Sequence, residues 1–253
     1  MAPKPLHAFR VLTYDVVGTL INFEKGLTDG LADIAVEYGV EVDGEAALSV
    51  YRECRSQSGA GKFPDDVARC YEIIASRLGL PRGANKGRRL IEAVASAPPF
   101  PDSVDALNRL GRRLRLVAMT NAQRWAFERF QKALGNPFYK GFTTDDTGTE
   151  KPDPAFFEFV LADLAKFGFG KGEILHVAQS QYHDIGVSRR LGITNCWIQR
   201  RHADAGYGGT IEPEHFVQPD YHFTSLAALA DAVEAASESP ESRFERGTRN
   251  SHD

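Results

Sequence analysis

Six positions carry groups suited to bond-making chemistry, and each follows an apolar run that reads as a buried strand. Asp15 comes after Phe9 to Tyr14, and Thr120-Asn121 after Leu114 to Met119. Lys151, in Lys151-Pro152-Asp153-Pro154, follows Tyr139 to Thr143, and His183-Asp184 lies in the loop after Ile174 to Ala178. Ligands of open parallel sheets bind beyond the carboxyl ends of the strands. Four such ends would converge on a carboxylate, a hydroxyl, an amide, an ammonium and a second carboxylate, the groups of nucleophilic and proton-transfer chemistry. Thr120 and Asp153 suit helix capping equally well. Neither GxxxxGK nor GxGxxG occurs, so the common backbone cradles for nucleotide phosphates are missing.

The elements that must position these groups follow from periodicity. Further strands are expected at Thr194 to Ile198 and, weakly, Tyr221 to Phe223. Helices are expected from Pro101-Asp102, with Val104, Leu107 and Leu110 on the apolar stripe, and over 121–134, 154–166, 182–191 and 225–237. Strands alternating with helices of this length predict an α/β fold, a parallel sheet covered on both faces. About 98 residues separate the first strand from the second, too many for a simple crossover. Leu27, Leu31, Ile34 and Tyr38 recur at helical spacing, helices are expected at 44–56, 66–78 and 84–96, and Gly39, Gly59 to Gly61, Gly79 to Pro81 and Pro98-Pro99 punctuate them. The expected organisation is a core of residues 1–20 and 99–253, interrupted by a helical cap domain over 21–98. Residues 201–220 read as loop, and the sixteen from Glu238 onward as a polar, frayed end.

Composition narrows the class. The 253 residues hold 42% hydrophobic and 25% charged side chains, and 30 basic against 34 acidic residues give a net charge of -4. That balance argues against a general nucleic-acid binder. Cys54, Cys70 and Cys196 form neither a disulfide framework nor a CxxC metal site and read as free thiols. The opening MAPKPLHAFR lacks the apolar run of a signal peptide, and no stretch of 18 apolar residues occurs. A cytoplasmic chain without membrane association is the expectation.

Asp15-Val16-Val17-Gly18-Thr19-Leu20, Thr120-Asn121, Lys151-Pro152 and Asp184 together resemble, in order and spacing, the four motifs of the haloacid dehalogenase (HAD-like) superfamily. The likeness extends over about residues 9–200, and the helical insert matches the cap that this superfamily places after its first strand. The resemblance implies a Rossmann-like parallel sheet core with an inserted helical cap. It also implies a nucleophilic Asp15 that forms a covalent ester, with Lys151 holding that carboxylate ionised. Asp184 would orient Lys151 or the hydrolytic water. Thr120 and Asn121 would contact substrate or leaving-group oxygens, and Thr19 with the turn's N–H groups would complete the cradle.

Departures from the motifs select a branch. Superfamily phosphatases resemble Asp-x-Asp, with the second carboxylate as general acid and base, and here that position is Val17. Their fourth motif commonly resembles Gly-Asp-Ser-x-x-x-Asp, and here its carboxylate position is Gln179. Two carboxylates that would serve magnesium-dependent phosphoryl transfer are thus replaced. The L-2-haloacid dehalogenase branch also lacks the second aspartate and uses no metal, since a departing halide needs no acid. The expected function is hydrolytic dehalogenation of a short, anionic 2-haloalkanoic acid, with no cofactor and a homodimer as a candidate assembly. The alternatives are a magnesium-dependent HAD-like phosphatase and a hydrolase of another small carboxylate. The branch carries a cap arginine for halide or carboxylate. Arg52 sits in the corresponding stretch, with Arg55 the next choice, although a helical arginine also suits a solvated face. Gln179 and Gln181 stand where the branch resembles Ser-x-Asn, and Phe157 where a tyrosine is usual. His183 has a reference pKa suited to activating the ester-cleaving water. Glu24 would orient it if the two approach, and Phe23 would line an apolar pocket beneath the cap.

Overall fold

The computed structural model describes residues 4–238. Six strands form one parallel sheet in the order β3-β2-β1-β4-β5-β6. They are β1 (Val11–Tyr14), β2 (Arg115–Thr120), β3 (Lys140–Thr143), β4 (Ile174–Ala178), β5 (Thr194–Ile198) and β6 (Tyr221–Phe223). Each lies where the apolar runs place it. All four residues of β1 are buried, because side chains of a central parallel strand meet covering elements on both faces. Leu12 and Tyr14 join one apolar core, and Val11 joins a second with Val117, Met119, Phe156 and Phe157. After β1 the chain winds outward through β2 and β3, then returns to add β4 on β1's other side. The sheet's switch point therefore lies between β1 and β4, where a crevice opens at the carboxyl ends.

Between β1 and β2 run α1 (Phe23–Val36), α2 (Gly44–Arg55), α3 (Val67–Leu78) and α4 (Ala84–Ala95). Asn22 caps α1 by accepting from Lys25 N, and Asp43 caps α2 by accepting from Glu45 N and Ala46 N. Leu27, Leu31 and Ile34 are buried as their spacing predicts. Tyr38 departs from that stripe: α1 ends at Val36, Gly39 takes φ +65°, and Tyr38 is exposed. Antiparallel contact of α1 with α4 depends on small residues. A Cβ added to Gly26 would lie 2.6 Å from Ala97 Cβ, and one on Gly30 2.6 Å from Ala93 Cβ.

The core resumes with α5 (Ser103–Gly111). The helix expected over 121–134 begins only at Arg124, as α6 (Arg124–Ala133), because the preceding residues are held elsewhere: Gln123 N donates to Phe63 O, and Asn121 pairs with the Lys151 backbone. A short helix, α7 (Thr144–Thr147), caps β3 and has no counterpart in the sequence reading. Asp153 caps α8 (Pro154–Ala165) by accepting from Ala155 N, as its alternative reading foresaw. The helix expected over 182–191 is a π-helical turn, Gln181–Ile185, leading into α9 (Gly186–Arg190). Residues 201–220 are loop, and α10 (Leu226–Glu238) packs on α5. Of the expected polar end, residues 239–253 lie outside the described residues. No helix among the described residues is long and apolar enough to cross a membrane.

The α1–α4 contact yields a prediction. Gly26→Ala improves helix propensity by about 1 kcal/mol, but the clash with Ala97 costs about 1–3 kcal/mol of overpacking. Thermal denaturation should show a Tm lowered by a few degrees, at about 2–4 °C per kcal/mol for a chain this long. An unchanged or raised Tm would mean that the helices separate without cost.

Candidate active site

Asp15 directly follows β1, and the chain then turns tightly: Leu20 N and Ile21 N both donate to Val16 O, and Gly18 N donates to Ile21 O. Gly18 takes φ +90°, which a side chain rarely tolerates, and a Cβ there would lie 3.0 Å from Gln179 Nε2. This turn aims the Asp15 carboxylate at the switch-point crevice. Its Oδ1 accepts from Lys151 Nζ at 2.9 Å, and its Oδ2 from Thr19 Oγ1 at 2.6 Å. Thr19 Oγ1 also accepts from Gln179 N at 2.9 Å, which ties the β1 turn to the β4 turn.

Lys151 is 2% exposed and bridges two carboxylates, donating to Asp184 Oδ1 at 2.6 Å as well. Burial alone would depress its ammonium, but Asp15 and Asp184 more than offset that and hold its pKa above the ordinary lysine value. The carboxylates respond in opposite directions. Burial raises Asp15 despite the Lys151 ammonium. Asp184 is also raised by burial, yet Lys151 and then a hydrogen bond from His176 bring it down to about 2. His176, on β4, places Nε2 3.0 Å from Asp184 Oδ1 and Nδ1 2.9 Å from Thr13 Oγ1.

A cavity of about 280 Å³ opens over Asp15. Phe23, Tyr51, Arg55 and Phe63 of the insert line one side, and Val17, Lys151, Gln179, His183 and Asp184 the other, with Gly209 to Ile211 closing the rim. Phe23 lies where the sequence reading put it. Arg55 Nη1 donates to Asp66 Oδ2 and Gly61 O, both at 2.7 Å, while Nη2 stands 3.9 Å from Glu150 Oε2. Burial raises the Glu150 carboxyl even opposite this guanidinium.

Several expected site residues lie elsewhere or are otherwise engaged. Arg52 does not line the cavity; its guanidinium donates to Gly208 O and Ser49 Oγ. Arg55, four residues after Tyr51, shares that residue's inward face of α2, whereas Arg52 is one residue round the helix. Gln181 is buried outside the cavity, where its Oε1 accepts from Val217 N at 3.1 Å. Glu24 does not orient His183: it accepts from Arg201 Nη1 at 2.6 Å and Gly209 N at 2.8 Å. His183 instead pairs through Nδ1 with Ser180 Oγ at 3.0 Å. Asn121 and Thr120 both border the cavity, but the Asn121 amide exchanges two 2.8 Å bonds with the Lys151 backbone, and Thr120 Oγ1 accepts from Ala122 N. Gln179 reaches across to Thr210 Oγ1 at 2.9 Å. Tyr51, Phe63, Glu150, Ser180 and His176 were not singled out from sequence. The Ala47, Leu48, Tyr51, Cys54 stripe of α2 carries the signal for Tyr51, whereas a histidine inside an apolar strand gives no sign of its partner.

A sequence model described as haloacid dehalogenase-like hydrolase matches residues 9–187, and the chain belongs to that family. Two (S)-2-haloacid dehalogenases, from Pseudomonas putida and Pseudomonas fluorescens, are each 27% identical over 143 residues, 55% of this chain. The match spans 60% of the length of these curated relatives. Among solved structures, a defluorinating L-2-haloacid dehalogenase superposes with a TM-score of 0.73 at 20% identity, covering 92% of this chain and 100% of the other. The L-2-haloacid dehalogenase of Xanthobacter autotrophicus with chloropropionic acid covalently bound gives 0.71 at 19%, covering 89% and 98%. A HAD-hydrolase of Bacillus subtilis bound to magnesium gives 0.72 at 16%, covering 89% and 99%. At these identities the likeness is one of fold. The donor set of this chain does not fit a resident magnesium ion. Val17 and Gln179 border the cavity where further carboxylates would be needed, and Lys151 occupies an oxygen of both Asp15 and Asp184. No group of three or more His, Cys, Asp or Glu residues suited to a metal occurs among the described residues.

His183 gives the site a pH signature. Burial pushes its imidazole down from 6.5 to about 4. The unfolded chain therefore binds this proton more readily than the folded one, so the His183 contribution is complete above pH 6.5 and is lost as pH falls toward about 4. Denaturant midpoints should fall more steeply across that window in the native protein than in His183→Gln. Equal slopes would show that the ring is not held neutral.

Proposed function

We propose that the protein hydrolytically dehalogenates a short 2-haloalkanoic acid. One observation carries this reading: a carboxylate held between an ammonium and a hydroxyl faces a partly apolar cavity that contains an arginine, with valine where a general acid would stand. Residues 21–98 act here as a cap over the core. The substrate carboxylate pairs with Arg55, whose Nη2 has no acceptor within hydrogen-bond distance among the described residues. An Asp15 oxygen attacks C2 as the carbon–halogen bond breaks, and the halide leaves with its bonding electrons. Thr19 and Lys151 fix the carboxylate for that approach. No proton goes to the leaving group, which is why Val17 is compatible with turnover. Water then adds at the Asp15 ester carbonyl and gives its proton to His183, whose neutral ring is a competent acceptor. The ester's C–O bond on the aspartyl side breaks, His183 returns its proton to the departing alkoxide, and the water's remaining proton leaves to solvent, so the 2-hydroxy acid is released and the Asp15 carboxylate and neutral His183 are regenerated. Lys151 stabilises the oxyanion formed on the way. The reaction, 2-haloacid and water to 2-hydroxy acid, halide and a proton, balances without a metal or cofactor.

The expected outcome is halide release from 2-chloropropionate that is unaffected by EDTA. Asp15→Asn should lower kcat by a factor of about 10⁴ or more, as loss of a covalent nucleophile does. Release of phosphate from phosphate esters only with added Mg²⁺, and no halide release, would overturn the reading. The anchor assignment has its own check. Arg55→Met should raise KM by about tenfold or more, the scale of one lost charge-assisted contact, while Arg52→Met leaves KM near the native value. The reverse ranking would restore Arg52 as the carboxylate anchor.

A further inference from the structure

His176 is fully buried on β4, outside the cavity, and takes no part in the chemistry described above. It lies on the sheet face covered by α8, with its ring 5.1 Å from that of Phe157 and edge-on to it at 75°. Thr13 of β1 and Asn195 of β5 are its register neighbours in the sheet. The charged groups near it are Asp184, to which it bonds, and Lys151, which shares that carboxylate. An ionised carboxylate only accepts, so the His176 nitrogen facing Asp184 carries the hydrogen. In the neutral ring Nδ1 is then an acceptor, and the Thr13 hydroxyl donates to it.

Two donors, Lys151 Nζ and His176 Nε2, thus converge on the same oxygen of Asp184. The other oxygen, Oδ2, is buried and has no hydrogen-bond partner, although Asp184 borders the cavity. The terminal torsion of an aspartate is broad, so a single ammonium would leave the carboxylate free to present either oxygen. A second donor from a different direction removes that freedom.

We propose that His176 is a positioning residue that sets the rotation of the Asp184 carboxylate, committing Oδ1 to Lys151 and reserving Oδ2 for a proton donor in the reaction cavity. Within the dehalogenase reading, on which this assignment rests, that donor is the water that cleaves the Asp15 ester. Thr13 completes the device by keeping the hydrogen on Nε2.

Two measurements test this, and the first is independent of any substrate. Imidazole ¹⁵N–¹H spectra of the free protein, assigned by the signal missing from His176→Gln, should show His176 with its proton on Nε2. A ring protonated on Nδ1 with Nε2 bare overturns the proposal. The second measurement follows single turnovers of 2-chloropropionate across pH, resolving halide release from 2-hydroxy acid formation. His176→Phe should slow the hydrolytic step by about tenfold or more, the scale of one lost hydrogen bond to a charged group, and move its acid limb to higher pH. His176→Gln, which keeps a donor near Nε2, should restore the native limb and most of the rate. Equal slowing of both steps in both variants, with the acid limb unmoved, would reduce His176 to packing. If His176→Phe does not fold, Thr13→Val should give a smaller limb shift in the same direction, and a native limb there counts against the proposal. If the native protein releases no halide from any 2-haloacid, the dehalogenase reading fails, and the spectra alone decide the case for His176.

Discussion

One buried ammonium organises this molecule. Lys151 Nζ lies between Asp15 and Asp184, at 2.9 and 2.6 Å, where almost no water reaches. Removing one partner of such an arrangement typically costs about 3–5 kcal/mol, because the remaining charge stays buried and uncompensated. Much of the surrounding architecture serves to hold these three groups. The Asn121 amide pins the Lys151 backbone, the Gly18 turn presents Asp15, Thr19 binds that turn to Gln179, and the π-helical turn delivers Asp184.

The insert and the core contribute different chemistry. Core residues hold the clustered charges, on the ends of adjacent strands and on short turns. The insert supplies Phe23, Tyr51 and Phe63 as apolar wall and Arg55 as a guanidinium at the cavity. Arg55 is itself braced by Asp66 and Gly61, so it approaches the cavity from a fixed direction rather than as a free surface arginine.

Legibility in the sequence followed the range of the interaction. The interior strands were readable because a central parallel strand buries both faces and so appears as a continuous apolar run, whereas β6, a partly exposed edge strand, gave only a weak signal. Asp15, Lys151 and Asp184 were readable because strand ends are where such sheets place ligands and because their spacing matches a known set of motifs. What escaped depended on side-chain direction or on long-range pairing. Arg52 and Arg55 differ by less than one helical turn, and only the buried stripe through Tyr51 tells which faces inward. Gln181 and Asp184 share one turn, yet the wider π-helical backbone leaves Gln181 against Val217. Tyr38 had helical spacing but falls past the end of α1 at Val36, just before Gly39's left-handed turn. His176 sits among apolar residues of β4, and its partner is eight residues on, across a turn whose geometry no local pattern specifies.

The rim of the cavity has a consequence for how the protein reaches its working form. Its wall joins Asp15 and Phe23 near one end of the chain to Tyr51 and Arg55, then to Lys151 and Asp184, and finally to Gly209 and Thr210. Arg201 binds both Glu24 and Glu45 across more than 150 residues, and Gln179 is joined to Thr210. Loops of this length must close before any of these contacts rewards the chain, and closures of high sequence separation are slow. The site is thus a late product of folding: no fragment ending before Ile211 possesses the complete wall, and a nascent chain leaves Asp15 open to water until that segment has been made.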